Sequence, residues 1–105
     1  MMHDDSEQAC RFLRRMIDNE LERIKLPEDD MKILRDAGDI TMKLMGMNIR
    51  LHSAEFHESA EKIFDTWDEL MQAERTRYPH LDEHFERVIT SAVFAFTAAE
   101  TELWD

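Results

Sequence analysis

Two apolar runs overlap in the middle of this chain, and one helix cannot hide both on one side. Ile33, Ala37, Ile40, Leu44, Met47, Leu51 and Ala54 recur three or four residues apart. So do Met42, Met45, Ile49, His52, Phe56, Ala60, Ile63, Trp67 and Leu70. Each run fits the helical template. Between residues 40 and 54 they lie on opposite sides of one cylinder. A helix apolar all round needs several neighbours, whereas a helix wet on one side needs one. Beyond Phe56 only one face stays apolar, and Glu58, Glu61, Asp65 and Asp68 line the other.

A strand reading also exists, because Ile40, Met42 and Leu44 alternate with polar residues and the alternation restarts at Met47. It fits a shorter stretch. Methionine and leucine favour helix over strand, and an isolated two-stranded hairpin is marginal in a small protein. The chain has only two glycines and two prolines in 105 residues, so turns are few and elements long. The sequence therefore implies an all-α fold: a single domain, residues 1–105, built as a bundle of about four helices.

The first helix is expected over 6–25, with Asp5 as N-cap, Gln8 as its capping-box partner, and Leu13, Ile17, Leu21 and Ile24 on the buried face. Pro27 ends it and suits the first position of the next helix, where Glu28, Asp29 and Asp30 meet the positive end of the dipole. That second helix is expected over 28–37. Gly38 reads as a C-cap and Asp39 as a new N-cap, or Gly38 lies inside a longer helix at a cost of about 1 kcal/mol. The continuous stripe then implies one central helix over 39–77, about 58 Å long at 1.5 Å per residue. The rival is a break near Gly46-Met47-Asn48, giving a compact bundle. Arg75, Arg77 and Pro79 close this element, and the last helix is expected over 80–104, with Leu81, Phe85, Val88, Ala92, Phe96, Ala99 and Leu103 facing inward and Trp104 at its end. A protruding rod has more apolar surface than one subunit can cover, so a homodimer is expected. Its interface, or that with a partner, would use Met42, Met45, Met47, Ile49, Leu51 and Phe56.

The net charge is −11. An acidic chain is repelled by phosphate backbones and anionic lipid, so direct nucleic-acid or membrane binding is not expected. A single cysteine, Cys10, permits no disulfide within the chain and suits a reducing compartment. The acidic start MMHDDSEQ is unlike a signal peptide, and the reading is a cytoplasmic protein.

No motif names a reaction. There is no glycine-rich phosphate loop, no Gly-x-Ser-x-Gly and no Cys-x-x-Cys, so neither enzyme chemistry nor a cofactor is expected. His80 and His84 are four apart but lack a third ligand at sensible spacing. His52 and His57 would diverge by about 140° on a continuous helix. Histidines with a glutamate three residues before them, as di-iron bundles need, do not occur. Met42, Met45 and Met47 cluster where the helices run out of cover, and methionine is over-used on surfaces that re-pack against partners.

In size, acidity and helical make-up the chain resembles small bacterial antiactivators that block LuxR-class quorum-sensing regulators by protein contact. The likeness covers the chain only at class level and transfers no residue roles. It implies a non-enzymatic regulatory inhibitor acting on a protein such as a transcription regulator. Two alternatives are a His/carboxylate metal-binding bundle and an acidic nucleic-acid mimic directed at a DNA-binding protein.

Overall fold

A computed structural model describes the backbone of residues 5–103 and the side chains of residues 6–98. The expected Asp5 cap, the Ala99 and Leu103 side chains and Trp104 lie outside that description. Within it the chain is all-α: α1 (Asp5–Arg23), α2 (Glu28–Ser53), α3 (His57–Arg77) and α4 (Asp82–Leu103), with a 3-10 turn at Pro79–Leu81 leading into α4.

The central rod does not form. One helix runs through Gly38 and Gly46, and the chain breaks instead at Ala54–Phe56. Neither the expected boundary at 37/39 nor the rival break near Gly46 is present. The break is a Schellman-type C-cap: Phe56 N–H bonds to Leu51 O at 2.8 Å and Glu55 N–H to His52 O at 3.0 Å. Glu55 occupies the left-handed position, with φ of 69°. Glycine normally fills that position, since a Cβ there is crowded. Both glycines are spent elsewhere. Gly38 faces α1 at close range: a Cβ there would meet Leu21 Cδ1 at 3.2 Å and Ile17 Cγ2 at 3.3 Å.

The break turns one long element into the antiparallel hairpin α2–α3. As a result α2 packs against α1, α3 and α4, as α4 does against the other three. That explains why it is apolar on more than one side. Met31, Leu34, Met45 and Ile49 on α2 meet Leu13 and Ile17 of α1, Trp67 and Met71 of α3, and Phe85, Ala92 and Ala95 of α4 in one core. The radius of gyration is 14.0 Å and the particle measures 47 × 24 × 17 Å, close to the ~13 Å typical of a compact chain this long.

Two buried polar bonds set the hairpin register. Trp67 Nε1–H donates to Thr41 Oγ1 at 2.9 Å, and the Thr41 hydroxyl donates back to Ala37 O at 2.8 Å. Two helical turns away, Asn48 Nδ2 donates to Ala60 O at 2.7 Å. Residue 41 is thus level with 67, and 48 with 60. Pro27 stands just outside α2 rather than as its first residue, with Met31 N–H bonding to its carbonyl at 3.0 Å. At the α3–α4 corner, Arg75 grips Asp82 with two bonds of 2.6 and 3.1 Å.

Candidate functional site

The six residues expected at an interface are divided by the fold. Met45 and Ile49 are fully buried in the protomer's own core. They are corrected from surface to core residues: with the chain folded back at residue 54, they join the single cluster formed with side chains of α1, α3 and α4. Met42 is half-buried against the same core. Met47 and Phe56 remain open, 42% and 62% exposed, and Leu51 between them is half-buried.

These open residues belong to a longer strip that sequence reading did not assemble. On α2, Ile40, Leu44, Met47 and Leu51 recur four, three and four residues apart and share one shoulder. On α3, Ile63 and Leu70 are two turns apart on the adjoining shoulder. With 41 level with 67 and 48 level with 60, the two sets flank the outer groove of the hairpin, away from α1 and α4. Phe56 closes its end, tied to Leu51 through the backbone bond of the cap. Ile40 and Leu70 are also open, at 37% and 42%. The signal for Leu70 and Ile63 was present as helical spacing, but on a continuous rod they would point along a different line from Met47.

At the other edge of the same hairpin the break brings His52 and His57 together. Their Nδ1 atoms lie 2.8 Å apart and their rings 5.1 Å apart. At this contact one ring nitrogen donates and the other accepts, the roles following the tautomers of the two rings. The expected divergence of these rings assumed an uninterrupted helix and is overturned by the turn between them. His52 also stands 5.8 Å from the Phe96 ring, beside a cleft of about 360 Å³ lined by Asn48, His52, Glu61, Phe64, Asp65 and Phe96. His80, by contrast, bonds Asp30 of α2 at 3.1 Å.

Among the described residues no group of three or more His, Cys, Asp or Glu side chains is placed to hold a metal ion. Cys10 is buried beside Gly46, with Arg11, Arg14, Lys43 and Arg50 around the neighbouring groove. Among the described residues no helix is long and apolar enough to cross a membrane. Hydrogen bonding to Arg75 holds the Asp82 carboxyl below its usual range, and Arg35 does the same for Glu28.

No family model matches the chain, and neither a curated protein nor a solved structure matches it.

Proposed function

We propose that this protein is a non-enzymatic protein–protein interaction module, a small regulatory inhibitor whose contact surface is the outer groove of the α2–α3 hairpin. The carrying observation is the open strip of Ile40, Met47, Phe56 and Leu70. Isolated apolar residues on a surface mean little, but a contiguous strip rimmed by charge is the usual form of an interaction site. Helix-in-groove recognition reads anchors at this spacing, and methionine in the middle of the strip adapts to different partners. The acidic, all-helical make-up supports the antiactivator reading, in which the protein acts on a transcription regulator by contact.

The strip also supports self-association through the same face. Met47→Glu and Phe56→Glu place charges on open positions, so they preserve helicity while abolishing self-association and partner capture. Light scattering and circular dichroism on the two variants decide the matter. A wild type that stays monomeric and loses no partner on either substitution sinks the proposal. Met45→Glu and Ile49→Glu cannot serve as probes, because a buried unpaired charge unfolds the domain. Affinity capture from the native host, with Met47→Glu as control, identifies the partner.

One observation favours the metal-binding alternative, the convergence of His52 and His57. It stops at two nitrogens: a third ligand is not assembled among the described residues.

A further inference from the structure

We propose that the cleft at the α2–α3–α4 junction is a binding site for a primary alkylammonium group. The site shares no residue with the apolar strip and stands whether or not that strip binds a partner.

The cleft has a floor, two walls and a rim of distinct chemistry. Asn48 is fully buried, yet lines the cleft; it therefore forms the floor. Its Nδ2 is spent on Ala60 O, whereas its Oδ1 has no hydrogen-bond partner. A buried acceptor left unpaired is destabilising, so a donor reaching it from the cleft would be favoured. Phe64 and Phe96 form the walls, their rings 5.5 Å apart and tilted at 49°, with His52 beside Phe96. Glu61 and Asp65, one turn apart on α3, are exposed at the rim. Among the described residues neither makes an ion pair or hydrogen bond.

This combination selects the ligand. Two carboxylates without counter-cations call for positive charge. The aromatic walls attract an organic cation through their π faces and cover an alkyl stem. A metal ion is not what the site fits, because a three-ligand set is absent among the described residues. A primary ammonium carries three N–H donors, which suits a cleft lined by two carboxylates and by Asn48, whose Oδ1 lacks a partner. The cleft volume falls within the range of small-molecule sites. Such a group could come from a free diamine or from a lysine side chain of a partner.

Isothermal titration calorimetry on the full chain tests this with 1,4-diaminobutane, with the peptide acetyl-Gly-Lys-Gly-amide, and with tetramethylammonium at matched ionic strength. Saturable one-to-one binding of the diamine or the peptide is expected, with tetramethylammonium, which has charge but no N–H, at least about tenfold weaker. Binding of both amines assigns the site to any alkylammonium. Binding of the diamine alone assigns it to a free amine, and binding of the peptide alone to a lysine side chain. Glu61→Gln with Asp65→Asn should lower affinity about tenfold or more, and Phe96→Leu should lower it further than charge screening explains. Both carboxylates are exposed, so the double variant keeps its fold and decides the case even if Phe96→Leu does not. Absence of saturable binding of either amine, equal binding of tetramethylammonium, or an unchanged affinity in the double variant overturns the proposal.

Discussion

Trp67 hands its indole proton to the Thr41 hydroxyl at 2.9 Å, and both side chains are completely shielded from water. The bond joins α3 to α2 at the centre of the core, where an unpaired donor would be costly. Thr41→Val keeps the shape and removes the acceptor, so a loss of about 1–3 kcal/mol is expected. Urea unfolding measures it. The Thr41→Val, Trp67→Phe double variant should cost less than the two single losses together, because it leaves no orphaned donor. Strict additivity would show that the bond contributes nothing.

Glu55 holds a left-handed backbone that favours glycine. Glu55→Gly should therefore raise stability by about 1 kcal/mol, while Glu55→Val should lower it. Thermal unfolding followed by circular dichroism distinguishes the two. A destabilised Glu55→Gly would mean that the hairpin is held by something other than this cap.

The glycines should respond in opposite directions to alanine. At Gly46 an added methyl meets only ordinary contacts, at 3.7 Å, so helix propensity should add about 0.5–1 kcal/mol. At Gly38 it presses on the γ-methyl of buried, β-branched Ile17, which cannot swing away, and α1 must shift. Gly38→Ala should lower the denaturation midpoint and Gly46→Ala raise it.

Arg75 and Asp82 fasten the α3–α4 corner. Because Arg75 depresses the Asp82 carboxyl, the folded state binds that proton less readily than the unfolded state. The contribution to stability is present above the ordinary carboxylate pKa of about 4 and fades as pH falls through the lower folded value. Asp82→Asn should be less stable than wild type at neutral pH, and the gap should close in acid. A gap that is constant with pH would separate the residue's role from its charge.

How far the sequence speaks is best judged at residues 38–57. Helical spacing identified α1, and proline with charges at helix ends identified the start of α2 near Glu28 and the end of α3 near Arg77, since these signals act locally. It placed the break wrongly because the usual punctuation is misleading here: the two glycines lie inside α2, and a glutamate takes the left-handed position. Once the break moves, Met45 and Ile49 pass from surface to core and His52 meets His57.

The chain's amino acids by themselves determined an all-helical domain with an overloaded central segment, because propensity and apolar periodicity act over one or two turns. Which of those apolar residues stay open was decided only by tertiary structure. A helix with grease on both sides can be covered by a partner or by its own chain doubling back. The turn at Ala54–Phe56 settles that choice, leaving Met47 and Phe56 outside and burying Asn48 at the cleft that Phe64 and Phe96 also line.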